Sequence, residues 1–204
     1  MKSNKQMFTG IYQSAAILAA LVAFYATDLV FITRYGKQRK SGESGRSWSY
    51  TVFIIVAAVL VIAQPALLPF LSLRIKVWWG ALIQAVGALL LLAGLGLHGW
   101  SRAHLRQFYA EGADVQPDHY VVDTGPYAYV RHPMFTSYFL LVIGLLLINP
   151  AATTLLITIY AFWDFTGAAK RDEELLAKEV PGYVEYMART HRFLPRLNKR
   201  PGEK

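Results

Sequence analysis

The run from Met134 to Trp163 carries no charged side chain, and Asn149-Pro150 stands at its middle. At about thirty residues it is too long for one ordinary membrane span and too short for two full ones. Asn-Pro is a turn signal, and the residue before a proline is biased away from α geometry, so the run reads as two short, tilted helices in a hairpin. A hairpin returns the chain to the side it came from. The segments flanking the run, before Met134 and after Trp163, are therefore expected to meet.

Three further apolar runs lie upstream. Ile11–Ile32 is about the 20 residues that cross a hydrocarbon core, and the start of the chain reads as a retained first helix rather than a cleaved leader. Asp28 lies near its end, one turn from the interface, where it can reach headgroups or pair with Arg34. Thr51–Leu73 is interrupted by Gln64-Pro65 and Pro69, which remove backbone donors and predict a kink. Val77–Leu97 carries Gly87, Gly94 and Gly96, a spacing of small residues that lets helices approach closely in lipid. From Trp100 to Tyr109 the sequence is amphipathic, fitting a helical continuation or an interfacial helix. An acidic, turn-rich linker runs from Glu111 to Asp123.

These runs predict an all-α, polytopic membrane bundle of about five transmembrane helices, with residues 1–97 forming three N-terminal spans and 98–204 a second half that holds a cytosolic loop, the hairpin and the C-terminal helices. The chain is 54% hydrophobic yet holds 21 Lys and Arg against 13 Asp and Glu, a formal charge of +8. Cytoplasmic loops of membrane proteins are enriched in Lys and Arg, so the charge calls for no nucleic-acid partner. Placing the N-terminus outside leaves only Lys2, Lys5, Arg74 and Lys76 on the outer face, with the rest of the basic residues, the Gly125–Pro133 loop and the tail in the cytoplasm. Without cysteine there is no disulfide, no thiolate nucleophile and no Cys-ligated metal site, and no metal is expected.

The segment Gly-Pro-Tyr-Ala-Tyr-Val-Arg-His-Pro, residues 125–133, is where chemistry concentrates. Its prolines fix φ at two points, and between them sit two aromatic rings, a guanidinium and an imidazole. That set suits a charged ligand with a flat ring, but Tyr and Arg also anchor membrane interfaces, and the loop alone leaves both readings open. Beyond the hairpin, helical spacing gathers Leu175, Leu176 and Val180, and Pro181-Gly182 breaks the helix before a shorter one presenting Tyr183, Tyr186 and Met187. Glu173 and Glu174, read alone, are also consistent with surface acids near Lys170 and Lys178.

Taken in order, Gly-Pro-Tyr-x-Tyr-Val-Arg-His-Pro, the Asn-Pro hairpin, Glu-Glu, Tyr-x-x-Tyr and Arg-x-x-Arg-Phe-x-Pro resemble the isoprenylcysteine carboxyl methyltransferase family, grouped with membrane phospholipid methyltransferases. The resemblance covers about the C-terminal half, Trp100 to Pro195. It implies an S-adenosylmethionine-dependent methyltransferase whose cofactor lies between the Arg-His-Pro loop and the C-terminal helix on the cytosolic face. It carries cofactor binding onto Tyr120, Gly125, Pro126, Tyr127, Tyr129, Arg131, His132 and Pro133, and onto Glu173 and Glu174, with Glu174 expected on the ribose. Arg189 or Arg192 would orient an acceptor carboxylate, and Glu174 or His132 would take a proton from a neutral acceptor. The implied substrate is lipid-like or a small hydrophobic molecule met in the membrane. An aminolipid headgroup or thiol is the alternative acceptor, and a non-catalytic scaffold or an NADPH-dependent membrane reductase is the rival of another class.

Overall fold

In a computed structural model, residues 7–35, 48–73, 80–109, 115 and 119–195 are described. Among these described residues, six α-helices come in order: α1 Ile11–Tyr35, α2 Trp48–Leu67, α3 Gly80–Leu105, α4 Pro133–Ile148, α5 Ala152–Glu179 and α6 Tyr183–Arg189. No strand occurs among the described residues; two isolated bridges do, Ser72 with Ala151 and Val130 with His191. Two helical stretches, Ile11–Tyr35 and Gly80–Phe108, are long and apolar enough to cross a membrane, while Thr51–Leu67 and Pro133–Ile148 are apolar but shorter. Large apolar side chains such as Ile11, Val22, Leu29, Leu82, Leu89 and Leu92 point outward. Lipid is the medium in which that exposure costs nothing.

Several boundaries differ from the sequence reading. The third span continues past Leu97 to Leu105 and ends in a 3-10 turn, Arg106–Phe108, so the Trp100–Tyr109 stretch is helical continuation. The second leg of the hairpin does not stop near Trp163. It runs unbroken for 28 residues to Glu179, because nothing between Pro150 and Pro181 breaks a helix and Ala168 to Lys178 is rich in strong helix formers. Asp28 pairs with His98 and Arg102 rather than with Arg34. The basic residues Lys37, Arg39, Lys40 and Arg46, and the Arg74–Lys76 turn, lie outside the described residues.

The close approach predicted for the glycines is made by Gly87 and Gly94, between α3 and α4, whereas Gly96 has nothing within 4 Å and takes no part in it. A Cβ on Gly87 would stand 2.8 Å from the Gly144 carbonyl oxygen, and one on Gly144 equally close to that of Gly87, so these two backbones touch. Van der Waals contact and weak Cα–H donation replace side-chain packing there.

The 16 residues of α4 reach only about 24 Å, short of the roughly 30 Å of a hydrocarbon core. The polar groups of the hairpin apex find their partners internally. Gln13 of α1 and Gln84 of α3 both donate their side-chain amides to the Ile148 carbonyl, at 2.9 and 3.0 Å. Asn149 Nδ2 donates to Gln64 Oε1 of α2 at 2.7 Å, and Leu73 N–H donates to the Pro150 carbonyl at 2.8 Å. Three helices thus contribute one buried glutamine each to seal this turn, and α4 and α5 leave it toward the opposite end of the bundle.

Candidate cofactor site

At that opposite end, Thr124 is extended and Gly125 turns at φ 58°, opening a 3-10 turn over Gly125–Ala128. A Cβ on Gly125 would fall 2.4 Å from His104 Nε2 of α3, so glycine is demanded here twice, by conformation and by space. Pro126 and Tyr127 are buried by the turn, whereas Tyr129 is exposed. Residues 130–132 then run extended beside the tail, with Arg131 N–H donating to the His191 carbonyl at 2.8 Å and His132 N–H to that of Arg192 at 3.0 Å. Thr136 Oγ1, in the first turn of α4, donates to the Phe193 carbonyl at 2.9 Å. Tyr186 of α6 donates its hydroxyl to the Tyr127 carbonyl at 2.7 Å. Loop and tail are stitched through backbone groups, which no side-chain pattern announces.

This stitching brings Arg131, His132, Glu173 and Arg192 together. Glu173 is 3% exposed. Its Oε1 accepts from Arg131 Nε at 2.8 Å and lies 3.1 Å from His132 Nε2, while Arg192 donates to both carboxylate oxygens. Arg131 also donates from Nη1 to the Met187 and Thr190 carbonyls. Burial works to raise the Glu173 carboxyl, but the hydrogen bonds from His132, Arg192 and Arg131 outweigh it and hold it well below the usual carboxylate range. Two guanidinium groups against one carboxylate leave the cluster with an excess of positive charge. Arg192 is its partly exposed member.

Helical phase separates the neighbouring acids. Glu174 is 60% exposed and stands 3.9 Å from Lys170 across one turn. Asp172, absent from the sequence-derived set, is half-buried, and burial pushes its carboxyl up while the charges of His132 and Arg171 oppose. Tyr183 and Tyr186, packed with Val180, form a small core under the site. Arg189 is not brought into the cluster; it lies on the surface and binds Asp123 Oδ2 at 2.8 Å. Tyr120 is likewise exposed, edge-on to Phe108. Pro133 is fully buried as the first residue of α4. Rings extend the wall from His132: Phe135 stacks at 5.4 Å, and Phe193 lies 6.1 Å away.

Residues 85–178, just under half of the chain, match the isoprenylcysteine carboxyl methyltransferase family; the matched stretch holds the loop, the hairpin and the acids, and stops before α6. The chain is 35% identical over 79 residues to a nickel-cobalt-cadmium resistance protein of Alcaligenes xylosoxydans xylosoxydans, covering 38% of this chain and 37% of that protein. It is 31% identical over 116 residues to a cobalt-zinc-cadmium resistance protein of Cupriavidus metallidurans, covering 55% and 53%. Similarity to the protein-S-isoprenylcysteine O-methyltransferase of Saccharomyces cerevisiae is 28% over 183 residues, covering 83% of this chain and 74% of the yeast protein. The chain therefore spans roughly a third to a half of the two metal-resistance relatives and most of the yeast one. The matched segment, which contains the loop and the buried carboxylate that meet at one end of the bundle, is similar to the isoprenylcysteine carboxyl methyltransferase family.

Proposed function

We propose that this chain is a membrane-embedded methyltransferase that takes its methyl group from S-adenosylmethionine and gives it to a lipid-like acceptor, such as the carboxylate of an isoprenylcysteine. The observation that carries the reading is the meeting of Arg131, His132 and Arg192 on the buried Glu173. A cluster with surplus positive charge and flanking rings fits a zwitterion with a carboxylate, a sulfonium and a flat base. When bound, S-adenosylmethionine supplies an electrophilic methyl carbon on sulfur, open to in-line attack.

The residues divide the remaining work. Glu173 already has three side-chain partners, so its lone pairs are used in fixing Arg131, His132 and Arg192. Glu174, with only the long Lys170 contact, has acceptor capacity left for two ribose hydroxyls. Tyr127, Tyr129 and Tyr120, with Gly125, Pro126 and Pro133 shaping the turn, form the loop wall. Arg192 orients an anionic acceptor, for which no base is required; Arg189, held by Asp123, serves the rim. An aminolipid or thiol acceptor would instead need Glu174 or His132 to take a proton. Positioning dominates such a transfer. The charge distribution supports a multi-pass chain with its N-terminus outside and the site in the cytoplasm. The metal-resistance names belong to those relatives, and no observation on this chain favours carrying them over.

Isothermal titration of the detergent-solubilised protein with S-adenosylmethionine tests the reading. Saturable uptake that His132→Ala and Glu174→Ala each weaken at least about tenfold is expected, the loss of one charge-assisted contact. Uptake equal to wild type in both variants would remove the site assignment.

A further inference from the structure

The described residues hold a second charged cluster, outside the Gly125–Pro133 loop and the tail. Asp28 of α1 places Oδ1 3.0 Å from His98 Nε2 and 3.1 Å from Arg102 Nε, both on one face of α3. His98 is wholly buried and Arg102 is 2% exposed. The Arg102 contact is an ion pair without hydrogen-bond alignment, and His98 Nδ1 has no partner. Charges between two membrane-spanning helices are costly, and an apolar pair would hold α1 to α3 as well or better. Helix packing alone does not account for them.

What the cluster touches suggests its use. The Arg102 guanidinium carbon stands 3.5 Å from the centre of the Tyr109 ring and 5.7 Å from that of Phe31. Two residues on, α3 meets the turn itself: His104 Nδ1 lies 3.2 Å from Thr124 Oγ1, and its ring fills the space where a Cβ on Gly125 would stand; the Arg102 charge also opposes the rise that burial gives the Tyr127 hydroxyl. Tyr127 is the buried residue of the Gly125–Ala128 turn, and its carbonyl receives the Tyr186 hydroxyl of α6. His98 leans on the other support of the site. Its ring lies 5.6 Å from Tyr138, which contacts Phe135 at 6.1 Å, and Phe135 stacks on His132.

We infer that Arg102, aimed by Asp28, is a positioning residue of the methyl-donor site: it seats the Tyr127 turn from beneath, and α1 thereby belongs to the functional unit. Arg102 acts through Tyr127 and Tyr109 and touches neither donor nor acceptor. The inference rests on the proposed function for its consequence in donor affinity, but its structural core concerns the turn alone. An aliphatic staple between α1 and α3 would preserve the bundle and lose this seat.

The double variant Asp28→Asn/Arg102→Gln in the full chain separates the two roles, because it removes both charges and orphans neither. Melting temperature reads the bundle, hydrogen–deuterium exchange of amides 126–132 reads the turn, and titration with S-adenosylmethionine reads donor affinity. A near-wild-type melting temperature with exchange faster and donor binding weaker, each by about tenfold, is expected for a network of this kind. Wild-type exchange in 126–132 would overturn the inference, and a lowered melting temperature beside it would leave the cluster a helix staple. Should the double variant fail to fold, Arg102→Lys keeps the charge beside Asp28 and loses the flat face on Tyr109. Faster exchange in 126–132 is expected there too, and unchanged exchange overturns the inference. If the wild-type protein takes up no S-adenosylmethionine, the proposed function fails, while the exchange data still decide the role of Arg102.

Discussion

Replacing Glu173 by Gln keeps the shape of the side chain and deletes the one negative charge that Arg131, His132 and Arg192 share. Removing one partner of a buried ion pair costs about 3–5 kcal/mol, because the other charge is left uncompensated. Two features reduce that here. Arg131 keeps the Met187 and Thr190 carbonyls, and Arg192, with its side chain 36% exposed, can recover water. A loss of about 2–3 kcal/mol remains, equivalent to roughly 5–10 °C in melting temperature for a chain of this size. Thermal unfolding in detergent, followed by intrinsic fluorescence, measures it. Glu174→Gln is the internal control: its surface pair at 3.9 Å predicts a change within about 0.5 kcal/mol. Equal melting of both variants and wild type, or a larger loss for Glu174→Gln, would refute the assignment of Glu173 as the buried hub.

The same carboxylate sets a pH dependence: its folded pKa lies below the unfolded value of about 4.3, so its stabilisation is full above that pH and is lost as pH falls through and below it. The gap between wild type and Glu173→Gln, measured from pH 7 down to 3.5, should therefore narrow on the acid side. Gly144→Val should lower stability by about 1–3 kcal/mol, because its Cβ meets the Gly87 carbonyl at 2.8 Å and α3 and α4 must part; unfolding in detergent reads this. Tyr186→Phe removes the 2.7 Å donor to the Tyr127 carbonyl and should cost about 1–2 kcal/mol, with faster amide exchange in the Gly125–Ala128 turn.

Much of this architecture was legible in the sequence because it depends on local chemistry. Asn149-Pro150 turns the hairpin, Pro181-Gly182 ends α5 with Gly182 at φ 82°, and glycines face each other where α3 and α4 touch. What was illegible depends on phase and distant pairing. Three consecutive acids, Asp172, Glu173 and Glu174, are alike on paper, and only the rotation of α5 buries Glu173 and exposes Glu174. Counting helical phase from buried Ala169 places Glu173 one turn on, on the same inward face, which was the available signal. The partner of Asp28 lies seventy residues away on α3, where the His98–Arg102 spacing of four hinted at a polar face but named no companion. The pairing of residues 130–132 with 191–192 uses backbone alone, so it left no side-chain trace.

The measurement that bears most directly on the central claim is transfer of a labelled methyl group from S-adenosylmethionine to an isoprenylcysteine carboxylate in membranes containing this chain. The account predicts base-labile label, the mark of a methyl ester, with wild type and with Glu173 intact, and its loss with His132→Ala. No labelled product of any acceptor, from folded protein, would contradict it.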